Sequence, residues 1–423
     1  MELRLRWEKH SAKKSLGWDN QPVPLGLYIS VPFCRTKCSY CNFASDVFSP
    51  TAFERYVDRV CADIGAATRI ATEMGTTIER EVDSIYLGGG TPTVLEPSQL
   101  ERIFAAARSN FDVRADAEVT VECAPGTLAP AVLDNLLCCG VNRVSLGVQS
   151  FVDAEAAAVG RLHKRVTAVD DIARLRAAGI ANINLDLIAG LPHQTAESWQ
   201  VSLAETLATG VPHVSVYMLE VDEDSRLGGE LIAGGTRYHA HFVPDDGAIV
   251  DFYLAASEKL EAAGIGQYEI SNFARTGSES RHNLKYWTRQ PYFGFGVDAH
   301  SMLASASRDA EAVRLATSDA LEHFIAGAPL QRTMVSRHTA LEESFFLGLR
   351  LTRGVNLSDL SASFGEQAVG KFQEAIKELV HEGLIQQHDG EIRLTLKGRL
   401  LSNEVFQKFL SPEAVPDIAP SAL

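Results

Sequence analysis

No stretch of this 423-residue sequence is apolar for long enough to cross a bilayer, and the opening MELRLRWEKH lacks the apolar core of a secretion signal. Both absences lead us to expect a cytoplasmic protein, with any membrane contact at its periphery. Basic side chains are in deficit: 39 Lys and Arg against 54 Asp and Glu give a formal charge of −15. Binding a phosphate backbone draws on Lys and Arg to displace counterions, so nucleic acid is not expected as a main partner. Cysteine is scarce, odd in number at seven and unevenly spread, which argues against a disulfide framework. The remaining composition, 46% hydrophobic and 22% charged, is that of a globular chain with room for one large domain and a smaller one.

Residues 1–24 are polar and read as an N-terminal arm. Short β-branched runs then alternate with amphipathic stretches. The strands expected are Leu25–Val31, Val82–Leu87, Glu118–Glu122, Arg143–Val148, Asn182–Ile188 and His213–Met218. The helices expected between them are Phe53–Thr72, Gln99–Arg108, Pro130–Cys138, Thr167–Ala178 and Ser198–Thr209. Alternation of this kind builds right-handed βαβ units and a parallel sheet. Six such units predict an α/β fold, a partial (β/α)6 TIM-like barrel over residues 25–303. A linker of mixed polarity is expected over 304–336 and a C-terminal domain over 337–410, with 411–423 as a tail. Helices at Thr339–Leu351, Leu357–Phe364 and Gln367–Glu382, with a hairpin around Asp389-Gly390, make that domain winged-helix-like. Its charges nearly balance, which favours packing over DNA contact.

In a parallel sheet ligands gather at the carboxyl ends of the strands, where the βα loops lie. Cys34-x-x-x-Cys38-x-x-Cys41 follows the first strand. Soft thiolates suit zinc or an iron–sulfur cluster, and zinc would want a fourth ligand at matching spacing. Position 43 is Phe43. Three thiolates hold three irons of a 4Fe–4S cluster and leave the fourth open to the amino and carboxylate groups of S-adenosylmethionine (SAM), a radical-generating arrangement. Three incidental reduced cysteines are the bland alternative. The strand before the loop and Tyr40 beside the third thiol weigh against it.

Gly88-Gly89-Gly90-Thr91-Pro92 ends the second strand, where glycines let backbone approach a ligand closely; alone, such a run is also an ordinary βα turn. Glu122, Gln149, Arg161 and Asp186 stand at strand ends or just beyond and can bond ribose, adenine or carboxylate oxygens. Singly, each reads equally well as a cap or surface polar group. Tyr28 can pack beside the cluster or simply fill core. His282, in His282-Asn283-Leu284-Lys285-Tyr286-Trp287, reads evenly as a packed, hydrogen-bonded histidine or as an axial haem ligand beside aromatic surface. Cys61, Cys123, Cys138 and Cys139 are expected to fill core.

Taken together, Cys34–Cys41, Gly88–Pro92, Gly147-Val148-Gln149-Ser150-Phe151 and Asp186-Leu187-Ile188-Ala189-Gly190-Leu191-Pro192 resemble the radical SAM family of oxygen-independent coproporphyrinogen III oxidase. Within it, the sequence is most similar to the HemW haem chaperone branch. The oxidases have a fourth cysteine where this chain has Phe43. The His282–Trp287 segment matches the branch's HNxxYW signature, and Tyr268–Phe273 upstream matches too. The resemblance implies that Tyr28, Gly89 and Glu122 hold the cluster-bound SAM. It also implies that Tyr40, Gly90, Thr91, Gln149, Arg161 and Asp186 line a second SAM site, and that His282 binds haem. Haem is then cargo, and haem-acceptor proteins, membrane respiratory enzymes among them, are the partners. The alternatives are the oxidase itself, decarboxylating coproporphyrinogen III, or another radical SAM enzyme acting on a tetrapyrrole. One departure is Val297-Asp298-Ala299-His300-Ser301, where the family shows Gly-Ala-Gly-Ala-His-Ser; it leaves the role of His300 open.

Overall fold

A computed structural model describes residues 23–411, so all but the last two residues of the expected arm, and the tail beyond 411, lie outside the described residues. The six expected strands are present: β1 (Leu25–Val31), β2 (Glu81–Gly89), β3 (Asp112–Cys123), β4 (Arg143–Gln149), β5 (Asn182–Ala189) and β6 (His213–Met218). They pair in chain order, all parallel. A seventh parallel strand, Tyr292–Gly296, pairs with the free side of β1. Antiparallel strands extend both ends, and the sheet runs between two edges without closing.

The strands form because their side chains alternate with the period of the pleat. Ile85 and Leu87, Val119 and Val121, Val144 and Leu146, Ile183 and Leu185, Val214 and Val216 point outward and join one large apolar core under the helices. The intervening residues are polar: Ser84, Glu118, Thr120, Arg143, Ser145, Asn184, His213 and Ser215 are all buried on the other face. Parallel sheets are commonly apolar on both faces. This one has a polar inner face, the first sign that it encloses a site.

Two helices come out shorter than their pattern implies. Phe53–Thr72 divides into Pro50–Gly65 and Ala67–Glu73, and Gln367–Glu382 into Glu366–Gly370 and Gln373–His381. Each break falls beside a glycine, the weakest helix former after proline. The linker expected over 304–336 is corrected: it supplies the strands Ala312–Ala316 and Gln331–Val335 and the helix Leu321–Ile325. Gln331–Val335 is an edge strand with four of its five residues exposed, so its sequence reads as polar loop.

The C-terminal segment packs its own apolar cluster around Phe345, Leu349, Leu360, Ile376 and Phe409. The expected hairpin, Ile385–His388 with Glu391–Leu394, gains a third strand in Val355–Asn356. Asp389 and Gly390 turn it with φ of 49° and 81°, the left-handed pair that a two-residue hairpin loop requires. Buried charge fastens this segment to the sheet: Glu343, 2% exposed, accepts from Arg289 at 2.8 Å and Arg314 at 2.5 Å. Glu343→Ala strands two guanidinium groups and should cost about 3–5 kcal/mol. Calorimetry should show a transition several degrees lower, whereas Lys377→Ala, which removes an exposed pair with Glu374, should leave it in place. Equal transitions in the two variants would contradict this anchoring role.

Candidate functional site

The loop after β1 is held in shape by its own backbone. Cys34 N–H donates to Asp46 O at 3.0 Å, Asp46 N–H to Pro32 O at 3.0 Å, and Ser39 N–H to Val159 O at 3.1 Å. Its three thiols meet polar groups, two from other segments and one from the loop itself. Thr91 Oγ1 donates to Cys34 Sγ at 3.7 Å, Arg161 donates to Cys38 Sγ at 3.6 Å, and Ser45 Oγ lies 4.0 Å from Cys41 Sγ. Burial raises the Cys34 and Cys41 thiols above their ordinary values, and the neighbouring thiols add to the rise. Removing those protons therefore needs cations nearby. Among the described residues, no three His, Cys, Asp or Glu side chains gather tightly enough to hold a single metal ion. A cluster asks for a wider spread, because each thiolate binds a different iron. Phe43 is 45% exposed at the position of the missing fourth thiol.

The glycine run is required by close approach. A Cβ on Gly90 would stand 2.6 Å from Phe33 O, and one on Gly88 would stand 2.8 Å from Glu122 Oε1 and from the Tyr86 ring. Gly89 has φ of 97°, and its N–H donates to Glu122 Oε2 at 3.1 Å. Tyr86 OH donates to Glu122 Oε1 at 2.7 Å. Burial, reinforced by Asp186, outweighs these bonds and pushes the Glu122 carboxyl up to about 7. An ammonium group placed there would draw it down again. Arg161 also donates to Gly147 O, yet its Nε is buried without a partner, as is Gln149 Oε1. Gln149 itself has φ of 68°. Asp186 accepts from Asn184 Nδ2 at 2.7 Å and Ser145 Oγ at 3.2 Å, and burial raises its pKa. Tyr40 packs against the apolar cluster that holds Val159, Leu191 and Leu227. The strand-end residues thus converge on the thiol loop, and their orphaned atoms fit a polar ligand beside it.

His282 is elsewhere. It lies in the helix Arg281–Trp287, not in a presenting loop, and is fully buried. Its Nδ1 bonds Ser84 Oγ at 3.0 Å and its Nε2 bonds Tyr286 OH at 2.8 Å, so neither nitrogen is available. The imidazole stacks on Tyr86 at 5.4 Å and lies 6.3 Å from Tyr28. Glu118 receives the N–H groups of Arg281 and His282, both at 3.1 Å, which anchors the positive end of the helix. Ser84 lies in the entry half of β2 and is in register with Glu118 on β3, four or more residues before the strand ends that face the thiols, so this helix is the floor of the lumen. Trp287 is buried under Arg350, whose guanidinium sits 4.3 Å above the ring.

Sequence reasoning missed Tyr86, Ser84 and Glu118. Their common signal was the alternation of polar with apolar side chains along β2 and β3, which the strand reading treated as packing alone. Asp298, where the family shows glycine, adopts φ of 54°, so the departure keeps the left-handed turn. His300 lies 3.8 Å from it, its Nε2 buried and without a hydrogen bond. Of the four cysteines expected in the core, Cys123 and Cys139 are buried and Cys61 is half-buried, but Cys138 is exposed.

Comparison with known proteins bears on the family and the fold. The Radical SAM superfamily profile matches residues 28–205, and the HemN C-terminal domain profile matches 335–401. The chain is 34% identical to the heme chaperone HemW of Bacillus subtilis (strain 168), over 90% of this chain and 98% of that one. It is 29% identical to the heme chaperone HemW of Escherichia coli (strain K12), over 92% and 98%. Among solved structures, the coproporphyrinogen III oxidase HemN from Escherichia coli, described as a radical SAM enzyme, superposes with a TM-score of 0.77 at 25% identity. That superposition covers 92% of this chain and 90% of that one.

Burial, with the Lys285 charge adding to it, lowers the His282 pKa to about 3, against 6.5 ordinarily. The unfolded chain therefore takes up this proton first. The contribution of the neutral imidazole is whole above about pH 6.5 and is lost as pH falls toward 3, by at most about 1.4 kcal/mol per pH unit. Denaturation of wild type and His282→Gln at a series of pH values should show a shallower acid slope in the variant. Parallel slopes would mean that the imidazole charges freely.

Proposed function

Because the chain belongs to the radical SAM superfamily and, within it, to the heme chaperone HemW family, we propose that it binds haem and delivers it to acceptor proteins while carrying a 4Fe–4S cluster and SAM. The carrying observation is the three-thiol loop with an exposed Phe43 in place of a fourth cysteine, in a chain whose full-length relatives are heme chaperones. Cys34, Cys38 and Cys41 would hold the cluster. When bound, it supplies the electron for reductive cleavage of SAM.

The protein's own groups prepare that place. Arg161 sets a cation beside the Cys38 sulfur. Gly88 and Gly89 keep the backbone open where the ammonium of SAM would lie, and Glu122, held by Tyr86 and Gly89, offers it a carboxylate. Gln149, Arg161 and Asp186, with Tyr40, Gly90 and Thr91, supply polar partners for the ribose, the base or a second SAM. Tyr28 walls the lumen below. In this conformation His282 offers no nitrogen to iron, so the haem reading does not pass through it. No helix of the described residues is long and apolar enough to cross a membrane. Acceptors in membranes, such as respiratory enzymes, would be met at the surface. The second reading is coproporphyrinogen III oxidation, favoured by the likeness to HemN and opposed by Phe43.

After anaerobic reconstitution, Cys38→Ser should abolish the cluster, while Cys61→Ser, in the helix Pro50–Gly65, should keep it; iron and sulfide analysis distinguishes them. Equal loss in both would defeat the ligand assignment. Incubated with coproporphyrinogen III, SAM and a strong reductant, the wild type should form no protoporphyrinogen. Multiple turnovers, followed by product fluorescence, would select the oxidase reading.

A further inference from the structure

Two signature segments, Tyr268–Phe273 and His282–Trp287, meet on one guanidinium of the C-terminal helix Arg337–Arg350. Arg350 lies 4.3 Å above the Trp287 ring and 3.7 Å from Glu269 Oε2. It is 8% exposed, and Glu269 is fully buried. The backbones alongside are locked together: Glu269 forms an antiparallel bridge with Leu351, and Thr352 N–H donates to Tyr268 O at 3.0 Å. The ion pair nevertheless stays open. On the same helix Glu343 meets Arg289 at 2.8 Å, whereas the Arg350 guanidinium has no hydrogen-bond partner among the described residues. Arg350 Nε, Trp287 Nε1 and Glu269 Oε2 are each buried and unpaired, while Ser271 and Asn272 occupy the other oxygen of Glu269. Buried donors and acceptors are nearly always paired, so three orphans on a single contact call for a ligand. Burial draws Arg350 below the ordinary guanidinium pKa, and Glu269 and Tyr217 counter it. Tyr217 follows His213 and Ser215 on the inner face of β6 and is 40% exposed, so the lumen is open on that side. A guanidinium laid flat on an indole ring, without hydrogen bonds and beside an open lumen, suits a planar anion.

We propose that Arg350, on its Trp287 platform, takes a propionate carboxylate of the haem cargo, with Glu269 as its resting counter-ion. The inference rests on the haem-carrying reading above and adds to it the group that recognises the cargo's charge. Haem is apolar apart from its iron and its propionates, and a guanidinium fork matches a carboxylate with two parallel N–H···O bonds. Trp287 Nε1 is a second unpaired donor at the same contact. Tyr286, edge-on to Trp287 with ring centroids 6.3 Å apart, and Tyr217 supply aromatic surface beside it. Lysine could not replace this group, because a point charge neither forks nor stacks. A pair serving only to fasten the C-terminal segment would close, as Arg289 and Glu343 do. The assignment concerns the cargo's carboxylate and is independent of which group meets the iron.

Titration of the reconstituted full chain with haem and with haem dimethyl ester, whose propionates are capped, followed at the Soret band, tests the site. Wild type should bind haem about tenfold more tightly than the ester. Arg350→Lys, which keeps the charge beside Glu269 but loses the fork and the stacking, should erase most of that preference. The double variant Arg350→Met with Glu269→Gln, which leaves no lone charge buried, should erase it too. Neither should change affinity for the ester, cluster content, or SAM binding by equilibrium dialysis. Equal binding of haem and ester by wild type would overturn the site, even where both variants fail to fold, and would leave the chaperone reading standing. A preference that survives in both variants would overturn it by sending the carboxylate elsewhere. Loss of SAM binding in place of the haem preference would overturn it by giving the guanidinium to the methionine carboxylate of SAM. No haem binding by wild type would overturn the chaperone reading itself.

Discussion

Everything in this molecule depends on one constraint: a parallel sheet that buries polar side chains on its inner face must give each of them a partner. Stranding a buried carboxylate or imidazole costs as much as the burial of a large apolar side chain gains. The inner face meets the demand in layers. At the entry end, Glu118 takes the first amides of the helix Arg281–Trp287, and Ser84 and Tyr286 take the two nitrogens of His282. In the middle, Asn184, Ser145 and Ser215 bond one another and Asp186. At the exit end the accounting stops short: Gln149 and Arg161 each keep a buried atom unpaired. Thr120 Oγ1 in the middle and Trp287 Nε1 in the floor helix are unpaired too, but the orphaned atoms of Gln149 and Arg161 belong to side chains that meet at Gly147 beside the thiol loop, where a polar ligand fits.

The inner face also separates what the sequence could show from what it could not. The six strands were legible because their outward residues, such as Val119 and Val121, are β-branched and regularly spaced, and the thiol loop was legible because its chemistry lies within eight residues. Glu118 was not, since its partners come 162 to 164 residues later and no local pattern joins them. His282 was legible as a special residue but not as a buried one. A seven-residue helix is too short to display a periodicity, and a motif rich in His, Tyr and Trp looks the same whether it plugs a lumen or faces a ligand. The edge strand Gln331–Val335 escaped for the opposite reason: four of its five residues are exposed, and an exposed face erases the apolar alternation that marks a strand.

The thiol loop and the connection after β6 depend on each other. Leu227 N–H donates to Ser39 O at 2.8 Å, Asn42 Nδ2 donates to Asp222 Oδ2 at 2.9 Å, and Arg226 reaches Lys37 O at 3.3 Å. The thiol loop's own backbone bonds are thus supplemented by a brace from the connection after β6. The brace continues through Glu230, whose carboxylate accepts from Tyr238 and Ala240 N–H at 2.7 and 3.1 Å and so sets the turn that carries His239. The thiol loop and the turn in which His239 meets His193 at 3.1 Å therefore share one support, at the carboxyl end of the sheet. The floor helix, by contrast, is tied to the C-terminal segment through Arg350 over Trp287, and to the sheet through Glu118. Loosening the brace would disturb the thiol loop and the Tyr238–Ala240 turn together while sparing the floor, because none of its hydrogen bonds involves the floor helix.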